Sequence, residues 1–334
     1  MDQPVTDNPS PSRGGAGVGA VVLACDSPHP GSLRSPTLPV AGEGRRIVRL
    51  GVVDSTQRVA FELAESGAAD GTVVMADTQT AGRGRRGRVW HDAPGESLLV
   101  SIVVRPRLNV ADLPKLSLAA GVAVAEALGT TTGLDTRLKW PNDVLVNGRK
   151  LAGILLESRM AAEPIVVAGI GVNLRQRTFS PELAETATSV DLEGGRAVGS
   201  EELLEALLDL FDRWKTCLES EGFAPLRSRW LSLADTIGRA VTVGEHAGVA
   251  VDLAEDGALV LRQEGSLRRV VAGEVAASHP VDTPGAGAYT ALNLVDEADS
   301  DPYIERSRRG QGLRGGAVLE GKGAGDGDVG RARA

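Results

Sequence analysis

The sequence predicts an α/β fold in which a mixed β-sheet is flanked by helices and a small all-β unit follows. Between residues 45 and 234, apolar runs of strand length alternate with segments of helical periodicity. A hairpin signal in this region requires antiparallel pairing, which excludes a purely parallel doubly wound sheet. From residue 235 to residue 280 the chain shows only short strand-like runs separated by turn residues.

The strands of the larger region are predicted from short apolar runs at residues 73–76, 98–105 and 165–174. A hairpin is predicted from two further runs, at residues 144–146 and 151–156. Asn147 and Gly148 stand between these runs, and this pair is typical of a tight two-residue turn.

Two helices are predicted in the same region. Residues 113–128 are alanine-rich with apolar residues at helical spacing, and Gly129 is the expected end of this helix. Residues 201–218 form an amphipathic pattern for which Ser200 is the expected N-cap. The apolar stripe of the second helix consists of Leu204, Leu207, Leu208, Phe211, Trp214 and Leu218.

The remaining segments are a small unit and two tails. Residues 235–280 contain a good turn signal, Asp256-Gly257, and we expect a small barrel or sandwich there. Its strand-like runs lie at residues 240–243, 249–253, 258–261 and 269–271. Residues 1–44 and 281–334 are rich in glycine and polar residues and lack periodicity, so we expect them to be disordered.

Composition narrows the class of function. The chain has 334 residues and a formal net charge of −8, which gives no reason to expect a nucleic acid as the main partner. Its longest apolar runs are of strand length, so no membrane span is predicted. Two cysteines, Cys25 and Cys217, make no disulfide framework and fit a reducing compartment. The residues before Cys25 are somewhat like a lipoprotein processing site, but they are acidic and interrupted by glycine, so we expect a cytoplasmic protein.

The most informative motif is Gly82-Arg83-Gly84-Arg85-Arg86-Gly87-Arg88, called the Gly–Arg loop below. It contains G-x-G-x-x-G, but no helix is predicted after it, as a dinucleotide site would require. Glycines let a backbone approach an anion closely, and arginines bind phosphate or carboxylate oxygens through paired hydrogen bonds. The motif indicates an anion site, and the alternatives are a solvated basic loop or a weak nucleic-acid contact.

Two further clusters carry chemically useful groups. Lys139-Trp140-Pro141-Asn142-Asp143 precedes the hairpin and places a lysine on a rigid, extended backbone. The alternative is a surface lysine followed by a turn-forming Asp143. Gly169-Ile170-Gly171-Val172-Asn173 ends a buried strand, where glycines indicate the close approach of a ligand or another backbone, or else a β-bulge.

Together these segments resemble biotin–protein ligases over roughly residues 53–277. The resemblance rests on Asp54-Ser55-Thr56, on residues 79–88, 139–143, 149–155 and 169–173, and on Gly273-Glu274-Val275. It implies a catalytic domain at residues 45–234 with the mixed sheet of class II aminoacyl-tRNA synthetases and biotin synthetases. It also implies an SH3-like barrel at residues 235–280.

The resemblance implies roles for individual residues. Biotin binding is implied for Ser55, Thr56, Gln57, Gln79, Arg83, Gly84, Arg85 and Lys139. ATP binding is implied for Arg85, Arg88, Trp90, Lys139 and Asn173, and the catalytic charges are implied to be Arg83, Arg85 and Lys139. Gln57 stands where the family often has asparagine, and its side chain is longer by one methylene.

The activity implied by the resemblance uses ATP and Mg²⁺ to form biotinyl-5′-AMP. Biotin then passes to a lysine of a biotin carboxyl carrier protein or domain of an acyl-CoA carboxylase. No protein nucleophile is needed, which fits a sequence without a Ser-His-Asp or Cys-His pattern. Residues 1–44 are too short for the winged helix-turn-helix of repressor relatives, so we expect a ligase without DNA binding. The alternatives are a lipoate–protein ligase or octanoyl transferase, and a biotin-responsive regulator.

Overall fold

The computed structural model describes residues 45–160 and 164–277, together with the short strands Ala20–Val22 and Leu294–Val295. The remainder of the two tails that we expect to be disordered lies outside the described residues. Within the described ranges, none of the helices has both the length and the apolarity that crossing a bilayer requires.

The larger of the two sheets is mixed and has eight strands. Its strands are β1 (Ala20–Val22), β2 (Ile47–Val53), β3 (Val73–Gln79), β4 (Ser97–Val104), β5 (Arg137–Lys139), β6 (Asp143–Val146), β7 (Arg149–Arg159) and β8 (Ile165–Asn173). The spatial order is β1-β2-β3-β4-β8-β7-β6-β5. Neighbours among β1, β2 and β3 are parallel, and the other neighbouring pairs are antiparallel. The predicted mixed sheet is confirmed.

Helices pack on both faces of this sheet. They are α1 (Thr56–Glu65), α2 (Lys115–Thr132), α3 (Ser200–Ser220) and α4 (Phe223–Leu233). On the face that α2 and α3 cover, Ile170 and Val172 of β8 belong to the larger hydrophobic core. On the opposite face, Val167 of β8 packs in a smaller core with residues of α1. Because side chains alternate along a strand, Gly169 and Gly171 also face this second side.

The two long helices each differ from the prediction at one end. α2 continues through Gly129 and ends before Gly133, whose φ is 76°. The segment that follows α2 packs against Gly129, since a Cβ on Gly129 would be 3.7 Å from the carbonyl oxygen of Leu134. The predicted cap on α3 was wrong as well, because Ser200 is already helical and Gly199 occupies the N-cap without a side-chain hydrogen bond. The predicted apolar stripe of α3 is buried.

The predicted hairpin is confirmed. β6 and β7 are antiparallel neighbours. Between them, Asn147 and Gly148 have φ values of 51° and 75°. These are the positive values that a type I′ turn needs, and they explain why this pair of residues gave a strong local signal.

A second, smaller sheet confirms the predicted all-β unit. Its strands are β9 (Ala240–Val243), β10 (His246–Leu253), β11 (Leu259–Gln263), β12 (Ser266–Val270), β13 (Val275–Ala277) and β14 (Leu294–Val295), in the order β13-β9-β10-β11-β12-β14. Trp140 joins it to the larger sheet. Its indole N–H donates to the carbonyl of Gly257 at 3.1 Å, and its backbone N–H donates to Thr236 Oγ1 at 2.9 Å.

Candidate active site

Most of the residues predicted to form a site meet where the parallel strands β2 and β3 end. Ser55 and Thr56 open α1 directly after β2, and Gln79 is the last residue of β3. The Gly–Arg loop follows β3 and leads to Trp90, whose ring lies against glycines of β7 and β8. The site therefore uses the sheet face opposite α2, next to the N-terminus of α1.

A chain of polar side chains lies at the start of α1. Gln79 Oε1 accepts hydrogen bonds from the backbone N–H of Thr56 at 2.8 Å and from its hydroxyl at 3.0 Å. The hydroxyls of Thr56 and Ser101 are 2.9 Å apart, and Ser101 Oγ donates to Gln57 Oε1 at 3.1 Å. Ser101 was missed by the sequence analysis. The available signal was a serine inside the fully buried, otherwise apolar centre of β4.

Gln57 faces the sheet rather than solvent. Its Nε2 donates to the carbonyls of Val167 at 3.1 Å and Leu155 at 3.3 Å. A Cβ on Gly169 would lie less than 3.0 Å from Gln57 Oε1, and the pairing of β8 is unbroken there. Gly169 is thus required by the close approach of a glutamine side chain and not by a β-bulge.

Trp90 packs against Gly171 of β8 in the way that Gln57 packs against Gly169, two residues earlier on the same strand. A Cβ on Gly171 would be 2.6 Å from the indole ring, and one on Gly153 would be 3.1 Å from it. The ammonium of Lys150 lies 5.8 Å from the centre of the ring, where a cation is attracted to the aromatic face. The same ammonium forms an ion pair with Asp143 at 2.7 Å.

Lys150 is a second lysine at the site, and the sequence analysis gave it no role. Strict alternation would place it on the same face of β7 as Ala152 and Ile154, which are buried in the larger core. The β6–β7 register instead shifts between Val144 and Leu145, which marks a β-bulge. The irregular strand allows both Lys150 and Gly153 to reach Trp90.

The Gly–Arg loop is a short irregular hairpin. Gly84 N–H donates to the carbonyl of Arg88 at 2.8 Å, and Trp90 N–H donates to that of Gly82 at 3.0 Å. A Cβ on Gly82 would be 2.8 Å from the carbonyl oxygen of Trp90, so only glycine fits there. Arg86 and Gly87 form the tip with φ values of 55° and 74°. Gly82 and Gly87 are therefore needed to fold the loop itself.

Three arginines of the loop have protein partners. Arg83 pairs with Glu157 of β7 at 2.7 Å, and the carboxylate side chain is only 15% exposed. Arg85 donates to Asn142 Oδ1 at 3.1 Å and to the carbonyl of Gly273 at 3.3 Å. Arg88 donates two hydrogen bonds to the carboxylate of Glu274, and the one from Nη1 is 2.6 Å long. The loop thus reaches both the strand β7 and the end of the smaller sheet.

The pKa of Glu274 reflects the positive charges that lie around it. Burial opposes ionisation of this carboxyl, but its hydrogen bond to Arg88 and the charges of Arg88, Lys139 and Lys150 hold its pKa below the ordinary value. Lys139 itself is half-buried at the end of β5. Cationic side chains from three separate segments therefore face one region.

Four buried side-chain atoms at or beside the site have no hydrogen-bond partner within the described part of the chain. They are Ser55 Oγ, Thr78 Oγ1, Trp90 Nε1 and Asp92 Oδ1. A buried polar atom left unpaired costs about 1–3 kcal/mol. Native proteins tolerate few such atoms, and a polar ligand bound beside these residues would satisfy them.

Asn173 is placed differently from the other predicted residues. Its side chain is buried, and Nδ2 donates to the carbonyl of Thr188 at 2.9 Å while Oδ1 lies 3.4 Å from Gln176 Nε2. Asn173 follows Gly171 by two residues on the same face of β8, but its amide holds the segment after β8 in place.

Comparison with known proteins identifies the family. Residues 50–174 match the model of the biotin/lipoate A/B protein ligase family, and residues 236–277 match that of the biotin protein ligase C terminal domain. The biotin--[acetyl-CoA-carboxylase] ligase of Paracoccus denitrificans is 40% identical over 66% of this chain and 96% of its own length. The corresponding Mycobacterium tuberculosis enzyme is 34% identical over 73% and 93%.

Two further relatives extend the comparison. The bifunctional ligase/repressor BirA of Bacillus subtilis is 35% identical over 70% of this chain and 74% of its own length. The structure of the Aquifex aeolicus biotin protein ligase in complex with biotin and ATP covers 70% of this chain and 99% of its own, with a TM-score of 0.62 and 30% identity. The chain therefore belongs to the biotin/lipoate A/B protein ligase family and carries the C-terminal domain of biotin protein ligases.

Proposed function

We propose that this chain is an ATP-dependent biotin–protein ligase. It forms biotinyl-5′-AMP from biotin and ATP and then transfers biotin to a lysine of a carrier protein. The observation that carries the proposal is the group of buried, unpartnered polar atoms at the ends of β2 and β3, beside the cationic side chains of the Gly–Arg loop, β5 and β7. It is supported by relatives named biotin--[acetyl-CoA-carboxylase] ligases and by a similar structure that contains biotin and ATP.

The polar groups at the start of α1 suit the ureido ring of biotin. Ser55 has a buried hydroxyl without a partner, and Thr56 and Gln79 lie beside it. The side chain of Gln57 forms three hydrogen bonds with strands of the sheet. We therefore propose that it forms the floor of the site and also borders the ureido ring. The indole of Trp90 and the glycine surface beneath it supply an apolar wall.

Adenylation requires the biotin carboxylate to attack the α-phosphate of ATP. Both groups are anions, so their approach is repulsive unless fixed positive charges lie around them. We assign this role to Arg83, Arg85 and Lys139, and add Lys150 because its ammonium stands over Trp90. The arginines must exchange their present partners, such as Glu157, for the ligand. Gly84 allows the backbone to approach the ligand as the loop closes.

The nucleotide is proposed to contact Arg88, Trp90 and Asn173 in addition to Arg85 and Lys139. Mg²⁺ carried by nucleotide phosphates usually needs only one or two protein carboxylates. Within the described residues no group of three or more histidine, cysteine or acidic side chains could hold a metal ion. The protein therefore fits an ion that enters with ATP, and Mg²⁺ would neutralise the pyrophosphate that leaves.

The second step transfers biotin from the adenylate to an amine. The lysine of the carrier attacks the acyl carbon and AMP leaves, so no nucleophile from this chain is needed. We propose the biotin carboxyl carrier protein or domain of an acyl-CoA carboxylase as the acceptor, in line with the names of the relatives. Residues 45–234 would form the catalytic domain, and residues 235–280 an SH3-like domain that supports the loop.

The alternatives fit the site less well. Lipoate and octanoate have aliphatic chains that an apolar tunnel would hold, whereas this site presents hydroxyl and amide groups such as those of Thr56 and Gln79. A formal net charge of −8 does not favour a DNA-bound regulator.

The test is biotin-dependent exchange of labelled pyrophosphate into ATP in the presence of Mg²⁺, with lipoate as the control acid. We expect exchange with biotin only, reduced about 100-fold or more in Arg85→Ala and Lys139→Ala. Arg86→Ala is the matched control, because Arg86 is exposed at the tip of the same loop. Exchange with lipoate alone would identify the alternative, and folded protein that supports exchange with neither acid would contradict the proposal.

A further inference from the structure

Asp92 is a half-buried carboxylate two residues beyond Trp90, and none of the roles described above uses it. Its Oδ2 accepts a hydrogen bond from the backbone N–H of Gln79 at 3.3 Å. Its Oδ1 is buried and has no hydrogen-bond partner within the described residues. Burial raises the pKa of this carboxyl above its ordinary value. The fold therefore holds a carboxylate that is short of donors, directly beside a residue of the site.

The ligand of the proposed function brings donors of the required kind. A ureido ring presents two N–H groups and one carbonyl oxygen, so it needs acceptors as well as donors. The neutral amide acceptors nearby already have donors, since Gln79 Oε1 accepts twice from Thr56 and Gln57 Oε1 accepts once from Ser101. Within the described residues, Oδ1 of Asp92 is a carboxylate oxygen beside them that has no donor and, unlike the unpartnered hydroxyls of Ser55 and Thr78, can only accept when ionised.

We propose that Asp92 is a further biotin-binding residue, whose Oδ1 accepts a hydrogen bond from a ureido N–H. The inference rests on the proposed function and adds the group that recognises the ring. A hydrogen bond to a carboxylate is shorter and stronger than one to a neutral oxygen. It also draws electron density toward the ureido oxygen, which then accepts more strongly from donors such as the Ser55 hydroxyl.

The test compares biotin with 2-iminobiotin, whose cyclic guanidine carries a positive charge at neutral pH. Dissociation constants are measured by calorimetry for the wild type, for Asp92→Asn and for Asp77→Asn. Asp77 is exposed on β3 and gives the same change of charge as a matched control. We expect Asp92→Asn to weaken biotin about tenfold and 2-iminobiotin about 100-fold, because the cation loses a charge-assisted hydrogen bond. Asp77→Asn leaves both constants within about twofold.

Other outcomes separate the possible failures. Equal weakening of both ligands would mean that Asp92 only holds Gln79 in place, and unchanged binding would remove it from the site, so either result overturns the inference. Wild-type protein that binds neither ligand would contradict the proposed function instead. Asp92→Ser is the second variant should Asp92→Asn fail to fold, because a hydroxyl can still accept from the Gln79 N–H. The same excess loss of 2-iminobiotin binding is expected from it.

Discussion

The contact between Gln57 and Gly169 allows a quantitative test of how the floor of the site is built. A Cβ at position 169 would lie less than 3.0 Å from Gln57 Oε1, so Gly169→Ala must displace the glutamine. The glutamine cannot withdraw freely, because it accepts from Ser101 Oγ at 3.1 Å and donates to Val167 O at 3.1 Å and Leu155 O at 3.3 Å. The substitution therefore combines overpacking with the loss of buried hydrogen bonds.

The expected loss of stability follows from these two effects. Overpacking in a close-packed interior costs about 1–3 kcal/mol. Each buried polar group left unpaired adds about 1–3 kcal/mol. If two of the three hydrogen bonds break, the free energy of unfolding falls by about 3–9 kcal/mol, a large part of the roughly 5–15 kcal/mol typical of folded proteins. With a urea m-value of about 3 kcal/mol per M, the midpoint of unfolding drops by at least about 1 M.

The assay is urea unfolding of the wild type, three single variants and one double variant. Gly51→Ala is the matched control, since Gly51 lies on the exposed part of β2 with no atom within 4 Å of its Cβ position, and we expect a change below about 0.5 kcal/mol. Gln57→Asn shortens the side chain and should partly relieve Gly169→Ala, with a coupling of at least about 1 kcal/mol in the double variant. Additive effects, or a Gly169→Ala change as small as that of Gly51→Ala, would refute the reasoning.

Two further predictions concern charged groups. Lys150→Ala should lower the rate of pyrophosphate exchange about 100-fold, because it removes a fixed charge from the site, and an unchanged rate would exclude Lys150 from catalysis. Glu193→Gln should destabilise the fold by about 2–3 kcal/mol at pH 7, since this carboxylate is only 3% exposed and pairs with Arg149. Burial opposes ionisation of Glu193, but its hydrogen bonds and Arg149 hold its pKa below the ordinary value. The contribution of Glu193 to the free energy of unfolding is therefore present above about pH 4.3 and is lost as the pH falls through the folded-state pKa. The difference in stability between Glu193→Gln and the wild type should shrink on acidification in urea unfolding. The control is Glu202→Gln, at an exposed position, which should change stability little at any pH.

Features that depend on local chemistry were predictable from the sequence. The Asn147-Gly148 turn is an example, because the positive φ values of the turn restrict which residues can occupy it. The buried stripe on α3 is another, since its periodicity alone specifies one apolar face. The ends of helices were less predictable. Gly129 and Gly133 are both plausible helix ends in the sequence, and only the tertiary packing decides that the chain leaves the helix at the second.

The arrangement of the site was predictable only in part. The motifs identified which segments meet, but the role of Gly169 depends on a glutamine more than a hundred residues earlier in the chain. Lys150 was missed because a β-bulge interrupts the alternation that a sequence pattern assumes. No local signal specifies this bulge, whose extra residue is Leu151 on β7, since residues 151–156 have the composition of a regular buried strand.

The contacts of the Gly–Arg loop connect it to the end of the smaller sheet. Arg85 donates to the carbonyl of Gly273, and Arg88 pairs with Glu274, the residue after Gly273. Both partners are more than 180 residues away from the loop along the chain, so these contacts depend on how the smaller sheet packs beside the larger one, to which Trp140 and Arg227 contribute hydrogen bonds. If Arg85 and Arg88 bind an anion as we propose, they must either break their contacts with Gly273 and Glu274 or move together with these residues. If the loop closes over the ligand as we propose, its closure is coupled to the position of the smaller sheet, and we expect a change at that sheet to alter the charges that face the ligand.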